Sequence, residues 1–414
     1  MADTIPAAAV SLDTVSPEAR HALWGSAVGY AMDGFDLLIL GFCLPAIGAG
    51  LHLAPAQAAS LVTATLIGAV VGGIGFGILA DRLGRVRVLA WSILVFALFT
   101  GLCALAPGYR TLLAFRALAG LGLGGEFGIG MALVAEAWPA SMRARASSYV
   151  GLGWQAGVLA AALVTPLLLP LIGWRGMFAI GAAPALAAFA IRRGLRDPAA
   201  FAARRADARQ RGTGLRALRL LVDTPAARRA SLGMFILCSV QNFGYYGLMI
   251  WLPGSLAARF HYGLTRSAIW TAVTIAGMAL GIAVFGQVAD RIGRRPAFLF
   301  WMAGAAVMVL VYAGLTSPAG LLVGGAVMGF FVNGMLGGYG ALISELFPTE
   351  ARATAQNVLF NLGRAVGGFG PVAVGLVAGR SGFATAIGLL AVIYVIDIAA
   401  LWAFIPERRG ARLA

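Results

Sequence analysis

Twelve long apolar runs follow one another along the chain, and they limit its fold more than any other feature. A bilayer core about 30 Å thick takes roughly 20 apolar residues of helix to cross. Each run has about that length or more, with boundaries good to a few residues, which predicts an all-α integral membrane protein with twelve transmembrane helices. The runs, numbered here as spans 1 to 12, are 22–49, 57–80, 87–106, 110–137, 146–169, 174–192, 230–256, 265–289, 296–315, 318–346, 354–378 and 382–405.

The composition agrees with a membrane location. Of the 414 residues, 60% are hydrophobic and 11% are charged, whereas soluble domains carry about 25% charged residues. A chain with so little polar surface cannot cover a globule of this size in water, which excludes a soluble enzyme, a disordered protein and a disulfide scaffold. The sequence also lacks the G-x-x-x-x-G-K-[ST] motif of nucleotide-driven pumps. We therefore expect no enzymatic activity, catalytic residue, cofactor or metal.

Arginine accounts for all 31 basic residues, and its distribution predicts the topology. Loops on the cytoplasmic side of a membrane protein retain an excess of positive residues. With both termini on that side, 24 arginines lie inside, five lie in outside loops, and two, Arg116 and Arg364, lie within spans. Both termini are therefore predicted to be cytoplasmic, and the formal net charge of +15 gives no reason to expect a nucleic-acid partner.

Two motifs recur with the same separation. GILADRLGRVR at 77–87 returns as GQVADRIGRRP at 286–296, and AEAWPASMRARASS at 135–148 returns as SELFPTEARATAQN at 344–357. Both pairs are offset by 209 residues. The shared offset indicates a tandem duplication of six spans with the same topology, an arrangement that occurs in secondary transporters.

The duplication divides the chain around an arginine-rich stretch between spans 6 and 7. We expect two six-helix bundles joined by a basic cytoplasmic linker. The predicted boundaries are 1–21 for a cytoplasmic tail, 22–192 for the N-terminal bundle, 193–229 for the linker, 230–405 for the C-terminal bundle and 406–414 for a second cytoplasmic tail.

The repeated pattern G-x-x-x-D-R-x-G-R, in the loops after spans 2 and 8, resembles the signature of the major facilitator superfamily. The first copy departs from it at Val86, where a second basic residue is usual. The resemblance implies a cytoplasmic gating motif that holds the two halves together when the cavity faces outward; alternatively, its arginines only fix the topology. Ion pairs present in one conformation bias a two-state equilibrium. The residues of this motif are Gly77, Asp81, Arg82, Arg85, Glu136, Arg143, Asp290, Arg291, Arg294, Glu345 and Arg352.

Finer features resemble the organic-acid:proton symporters of that superfamily, namely its aromatic-acid, sialate and other metabolite groups. The resemblance implies a small organic anion and protons as transported partners, and it links the span-4 arginine to proton coupling. The features are Asp33-Gly34-Phe35-Asp36 in span 1, Arg116 and Gly124-Gly125-Glu126 in span 4, Tyr245-Tyr246-Gly247 and Trp251-Leu252-Pro253 in span 7, and Asn361-x-x-Arg364 in span 11.

Charged residues inside the membrane are candidates for function, because a charge at mid-bilayer costs about 2.5–3.5 kcal/mol on insertion scales. Proton coupling needs a titratable group there, and the three histidines lie near span ends or in loops, which leaves carboxylates. We assign the proton to Asp33, with Glu126 or Asp36 as its partner and Arg116 tuning the acids. Alternatively, an acid pairs with Arg116 only to hold spans 1 and 4 together. Asp397 in span 12 is expected to be structural.

Arg364 is the candidate for anion binding, because a guanidinium is a planar fork that matches a carboxylate and stays charged. We expect it opposite Asp33 across a cavity; alternatively, it pairs with Asp397 or another fixed acid. The offset maps Asp33 to Asn242 and Gln155 to Arg364, so one half would carry the proton and the other the substrate.

Other polar residues of the spans, Asn333 and Asn357 among them, are candidates for lining that cavity. For each one alone, an interhelical contact is as consistent with the sequence as a substrate contact. Trp154 either stacks on a substrate or packs between helices. The full set of predicted substrate-binding residues is Arg364, Asn361, Asn242, Tyr245, Tyr246, Gln155 and Tyr339.

The sequence thus predicts a proton-coupled symporter that imports a small organic anion, such as an aromatic acid, a monocarboxylate or a sugar acid, across the inner membrane by alternating access. We expect it to work as a monomer in the lipid bilayer. One alternative is a proton-driven exporter, although span 5 lacks the Gly-Pro signature of such antiporters. A neutral sugar transporter is disfavoured by Arg364, and a membrane sensor by the lack of a recognisable output domain.

Overall fold

The computed structural model describes residues 15–192, 214–260 and 264–407, and the regular structure of these ranges is helical. Eleven stretches of them are long and apolar enough to cross a membrane. There are eleven because spans 5 and 6 are joined in one stretch; counted separately, they confirm the twelve predicted spans. The remaining parts of the predicted tails and linker, at 1–14, 408–414 and 193–213, lie outside the described residues, as does His261.

Spans 1 to 4 are separate helices, and spans 5 and 6 share one. The first four run Pro17–Gly50, Pro55–Leu83, Arg85–Cys103 and Tyr109–Ala137. A 3-10 turn, Ala140–Met142, leads into the helix Arg143–Arg192. The backbone of that helix turns at Gly173, with φ 66° and ψ 176°. Glycine adopts this left-handed φ without strain, so the chain reverses there between the two spans.

The second half begins with a short helix, Gly214–Leu220, and contains two broken spans. Span 10 is broken at Met335 and span 11 at Gly368 and Phe369. The sequence did not predict these breaks, which lie beside the residues of the central cavity described below. The helices of spans 7 to 12 run Pro225–Phe260, Leu264–Ile292, Arg294–Gly314, Pro318–Gly334 with Leu336–Leu346, Arg352–Gly367 with Gly370–Ser381, and Phe383–Phe404, with a 3-10 turn at Thr349–Ala351.

Capping side chains fix the start of two helices. Span 1 begins before its apolar run, and span 10 begins at the edge of its run. The Ser16 hydroxyl accepts the backbone N–H of Ala19 at 3.2 Å, and proline follows at the first helical position. Ser317 does the same for span 10, accepting the N–H of Gly320 at 3.1 Å. Such caps satisfy backbone donors that a helix leaves free, so span 1 extends to Pro17.

The two halves pack by the same scheme. Span 1 packs on span 5 and span 2 on span 4, as span 7 packs on span 11 and span 8 on span 10. Between the halves, span 2 packs on span 11 and span 5 on span 8. Each contact has a counterpart six spans later, so the two predicted pseudo-repeats are confirmed. The loops after spans 2 and 8 turn at Gly84 and Gly293, where φ is 114° and 108°; these left-handed values favour the glycine of the repeated motif.

Candidate functional site

A buried ion pair joins span 1 to span 11 in the middle of the molecule. The Arg364 guanidinium donates to both carboxylate oxygens of Asp33, at 3.1 and 3.2 Å. Asp33 is 0% exposed and Arg364 2%. Two parallel bonds of this kind are the strongest contact that a guanidinium makes with a carboxylate. Arg364 was expected opposite Asp33 across a cavity, but the two are in direct contact. The alternative that Arg364 pairs with a fixed acid therefore describes this structure, with Asp33 and not Asp397 as that acid.

Aromatic side chains complete the surroundings of the Arg364 guanidinium. Its Nε donates to the Tyr246 hydroxyl at 3.0 Å, and its Cζ lies 5.2 Å from the ring centre of Trp154. The indole N–H of Trp154 donates in turn to the Tyr245 hydroxyl at 3.1 Å. Because Trp154 belongs to span 5 and both tyrosines to span 7, these contacts connect the two halves at the same level as the ion pair.

A narrow cavity lies beside this pair, and Arg364 is the one charged residue among those described that line it. Its free volume is about 10 Å³, room for about one water molecule. Tyr30 packs against Trp154 with ring centres 5.2 Å apart, and Phe127 stacks on Phe360 across the halves at 3.6 Å. Aromatic rings therefore form much of the cavity wall. Its lining is Tyr30, Trp154, Gln241, Asn242, Tyr245, Tyr246, Asn333, Leu336, Phe360 and Arg364.

An amide pair forms the polar wall of the cavity away from the guanidinium. The side-chain nitrogen of Gln241 donates to the side-chain oxygen of Asn333. The other two polar atoms, Oε1 of Gln241 and Nδ2 of Asn333, are buried and have no hydrogen-bond partner among the described residues. Buried polar groups in native proteins are nearly always paired. One acceptor and one donor are therefore available to a molecule that enters the cavity.

A second buried ion pair, between Asp36 and Arg116, holds spans 1 and 4 together. Arg116 donates to the two oxygens of Asp36 at 2.7 and 3.0 Å, and its Nε donates to the Thr65 hydroxyl at 3.1 Å. Of the acids that Arg116 was expected to tune, Asp36 is the one that these bonds join to it. The pair matches the alternative in which an acid and Arg116 hold spans 1 and 4 together. Asp36 shares a helix face with Asp33 but lies about 4.5 Å further along the axis, at the level of Arg116.

Asp33, Asp36 and Arg116 lie outside the cavity lining, and so do four further predicted site residues. Glu126 accepts the Ser92 hydroxyl of span 3 at 2.8 Å. Asn361 donates to the carbonyl of Gly124 at 2.9 Å, and Tyr339 to that of Leu237 at 3.0 Å, so both make the interhelical contacts left open above. Gln155 is also outside the lining, and neither polar atom of its amide has a hydrogen-bond partner among the described residues.

Asp397 is a further buried carboxylate, in span 12. It is 0% exposed, and neither of its oxygens has a hydrogen-bond partner among the described residues. It does not line the cavity. Nothing in the described part of the chain therefore connects it with the site at Arg364.

The residues that the sequence missed are Tyr30, Gln241, Phe360 and Leu336. Three of them had a signal that was available. Tyr30 precedes Asp33 by three residues, and Phe360 precedes Arg364 by four, so helical spacing places each on the face of a charged residue already chosen. Gln241 is next to Asn242, which was predicted. Leu336 depends on the break in span 10 and had no local signal.

The predicted gating motif forms two clasps that cross between the halves. In the first clasp, one oxygen of Glu136 accepts from Arg85 at 3.0 Å and from Arg352 at 2.9 Å. Arg85 also pairs with Asp81 at 2.8 Å. Asp81 caps the start of the span-11 helix, accepting the backbone N–H of Thr354 at 2.8 Å. Arg352 and Thr354 come from the second half, so this cluster fastens the halves.

The second clasp repeats the first with the partners exchanged. Glu345 accepts from Arg294 at 2.7 Å and from Arg143 at 3.3 Å. Asp290 pairs with Arg294 at 2.9 Å and accepts the backbone N–H of Arg145 at 3.0 Å. Each of these residues lies 209 positions from its counterpart in the first clasp. A role that the first half fills in one clasp is filled by the second half in the other. The structure therefore brings together the buried charges of the predicted motif.

Gly77 and Gly286 allow the close approach on which the clasps depend. A Cβ on Gly77 would lie 3.1 Å from the Cα of Thr354, and one on Gly286 would lie 2.8 Å from the Cα of Arg145. Arg82 and Arg291 are different: both are exposed, and the structure places neither in a clasp. Both were predicted to belong to the gating motif. In the structure they instead follow each capping aspartate on the outer face of the helix.

Comparison with known proteins identifies the family. The profile described as Major Facilitator Superfamily matches residues 26–278 and, in a second match, 254–414. The chain belongs to this superfamily. Its members are transporters, so the chain is a multi-pass membrane transporter and not an enzyme.

Relatives within the superfamily cover nearly the whole chain. A Haemophilus influenzae protein, whose name assigns it to metabolite transport, is 61% identical over 95% of this chain and 97% of its own. A Cupriavidus pinatubonensis protein named as a 4-methylmuconolactone transporter is 34% identical, over 95% and 92% of the two chains. The cis,cis-muconate transport protein of Acinetobacter baylyi is 30% identical over 84% of each.

Solved structures agree on the fold. The proton:xylose symporter XylE, bound to 6-bromo-6-deoxy-D-glucose, superposes with a TM-score of 0.79 over 96% of this chain and 98% of its own. The two sequences are 17% identical, so this likeness establishes the superfamily fold and carries no information on substrate.

Proposed function

We propose that the chain is a proton-coupled symporter that imports a small carboxylate across the inner membrane by alternating access. The observation that carries the proposal is the bidentate pair of Asp33 and Arg364, which crosses between the halves beside the cavity. Both members are buried, and each belongs to a different half of the transporter.

Coupling follows from competition for one guanidinium. Arg364 holds Asp33 with two parallel bonds, and a substrate carboxylate needs the same two N–H groups. An unpaired buried charge costs several kcal/mol, so Arg364 needs an anionic partner at every stage. Protonation neutralises Asp33 and releases the guanidinium for the substrate. A proton and an organic anion therefore bind together, and the loss of either favours release of the other.

The clasps supply the second requirement, a switch between two conformations. They fasten the cytoplasmic ends of spans 2 and 11 and of spans 5 and 8, which is the arrangement expected while the outer side is accessible. In the proposed cycle the proton and the substrate enter from outside, the halves rock, and both clasps break. The proton and then the substrate leave to the cytoplasm, and Asp33 returns to Arg364.

The lining of the cavity favours a flat substrate with a carboxylate at one end. Four of its ten residues, Tyr30, Trp154, Tyr245 and Tyr246, form one aromatic wall around the guanidinium, with Phe360 beside them. Aromatic faces stack on planar, unsaturated groups. The amide pair at the other wall offers a donor and an acceptor to a second polar group. Relatives named as muconate and 4-methylmuconolactone transporters agree with a small organic acid.

The deciding experiment uses proteoliposomes with Asp33→Asn. This variant removes the proton site and the competitor together, so we expect accumulation driven by a pH gradient to be lost while exchange of preloaded substrate persists. Substrate binding at pH 8 should become tighter than in the wild type, because a charged Asp33 no longer occupies Arg364. Binding to the wild type should weaken as the pH rises, and binding to the variant should change little.

The matched control is Asp397→Asn, which removes a different membrane-buried carboxyl that does not line the cavity. It should accumulate substrate as the wild type does. Gradient-driven accumulation by Asp33→Asn at the wild-type level would refute the proton assignment. If an inward proton gradient instead drove extrusion of the substrate by the wild type, the antiporter alternative would replace the symporter.

A further inference from the structure

A second, larger cleft opens at the surface of the second half, away from the transport site. Its volume is about 530 Å³, and it lies where spans 7, 9, 10 and 12 end on the face that the arginine distribution assigns to the cytoplasm. The short helix Gly214–Leu220 closes one side. The cleft therefore lies at the depth of the lipid headgroups.

Two arginines give the cleft its charge. Arg229 donates to the carbonyl of Ala403 at 2.8 Å, and Arg295 donates to the carbonyl of Trp402 at 2.9 Å. A guanidinium has five N–H donors, so each keeps most of its donors after binding one carbonyl at the end of span 12. The Nε of Arg295 is buried and has no hydrogen-bond partner among the described residues. The two side chains together can hold an oxyanion.

The rest of the lining is largely apolar and open towards the bilayer. Trp402 is 61% exposed and carries the Arg295 guanidinium over its ring at 4.2 Å. Phe347, Phe404 and Leu220 continue the apolar wall. Tryptophan is enriched at the boundary between headgroups and acyl chains. A ligand of this cleft therefore meets both charged side chains and an apolar surface.

One acidic residue also lines the cleft, and it narrows the choice of ligand. The charge of Asp223 offsets that of one arginine, so the lining carries one net positive charge. A carboxylate accepts hydrogen bonds, so Asp223 can take one from a hydroxyl of the ligand. The next acid along the chain, Glu407, is already engaged by the backbone N–H groups of Arg294 and Arg295, at 3.1 and 2.9 Å. The complementary ligand carries a single negative charge and a hydroxyl.

We propose that this cleft binds the headgroup of an anionic phospholipid of the phosphatidylglycerol type, taken from the adjacent leaflet. The phosphodiester lies between Arg229 and Arg295, a headgroup hydroxyl donates to Asp223, and the acyl chains follow Trp402 and Phe404. Basic pockets between spans on the cytoplasmic side are the sites where anionic headgroups bind. The bound lipid joins the short helix to spans 7, 9 and 12 and stabilises the second half.

The test is thermal unfolding of the purified full-length protein in detergent, with added phosphatidylglycerol, phosphatidylethanolamine or glycerol 3-phosphate. A ligand that binds the native state raises the Tm, and the shift grows with the logarithm of the ligand concentration above its Kd. We expect phosphatidylglycerol to raise the Tm by several degrees and the other two to raise it much less. An equal shift with phosphatidylethanolamine, or with glycerol 3-phosphate at the same concentration, would overturn the assignment to an anionic lipid.

The variants place the effect in the cleft. Arg229→Gln with Arg295→Gln keeps an N–H donor for each span-12 carbonyl and removes both charges, so most of the shift should disappear. Arg219→Gln with Arg291→Gln removes two charges from exposed residues that do not line the cleft and should keep the full shift. Equal shifts in the two double variants would refute the site.

Native mass spectrometry of the wild type gives a second readout that needs no variant. Protein released from micelles of equal phosphatidylglycerol and phosphatidylethanolamine should retain one phosphatidylglycerol molecule in preference. Retention of the two lipids in equal amounts would contradict the proposal even if the cleft variants failed to fold.

Discussion

In the proposed mechanism, both substrate binding and proton coupling depend on Arg364. It is the one charged group among the described residues of the cavity lining, and it already holds a carboxylate with two bonds. The hydrogen bond from Nε of Arg364 to the Tyr246 hydroxyl, 3.0 Å long, fixes the plane of the guanidinium. The fork is therefore oriented before a substrate arrives, which lowers the entropy lost on binding.

Arg364→Lys tests the fork directly. Lysine keeps the charge but has no planar pair of N–H groups, so one charged hydrogen bond to the substrate is lost. Such a bond is worth about 1.5–3 kcal/mol, which corresponds to roughly a tenfold to 100-fold weaker Kd. Calorimetric titration with a carboxylate substrate measures this change. An unchanged Kd would mean that the substrate does not use the guanidinium fork.

At the scale of helices, the clasps and the central cavity differ in how far the sequence predicts them. The clasps are local: a capping aspartate, an arginine four residues later and a motif glycine recur at fixed spacing, so the sequence alone located them. The cavity depends on how each span is rotated about its axis. An apolar helix has no polar face to indicate that rotation, so Tyr30, Gln241 and Phe360 could be found only from their spacing to residues already chosen. The breaks in spans 10 and 11 depend on neighbouring helices in the same way.

Gly286→Ala tests the close approach of spans 5 and 8. The new Cβ would lie 2.8 Å from the Cα of Arg145, closer than carbon atoms pack. We expect the cytoplasmic ends to separate and the population to move towards the state open to the cytoplasm. Spin labels at those ends of the two spans would report longer distances. Gly75→Ala is the control, since its Cβ would meet nothing within 4 Å, and it should leave the distances unchanged.

The whole molecule is two copies of one unit, arranged so that each copy completes the other's clasp. The repeat and its 209-residue offset predicted this symmetry. The difference between the copies lies at the centre, where the first half supplies Asp33 and the second supplies Arg364. The sequence assigned these two residues to opposite halves but not to each other, because a contact between residues 331 positions apart leaves no local pattern.

The proposed cycle predicts electroneutral transport of a monovalent carboxylate. One proton enters with one negative charge, so no net charge crosses the membrane. In proteoliposomes, a pH gradient should therefore drive uptake, and an imposed potential at equal pH should leave the initial rate unchanged. A rate that follows the potential would require a second proton, and Asp36 would then be the next carboxyl to examine.

The tie between Asp33 and Arg364 has a consequence for the cell when no substrate is present. A carrier with a proton on Asp33 and an empty cavity holds a bare cation in the middle of the bilayer, where it costs several kcal/mol. That species cannot rock readily between its two faces. In the proposed cycle, protons would therefore not leak inward through the empty carrier, and proton-motive force would be consumed only when an anion travels with each proton.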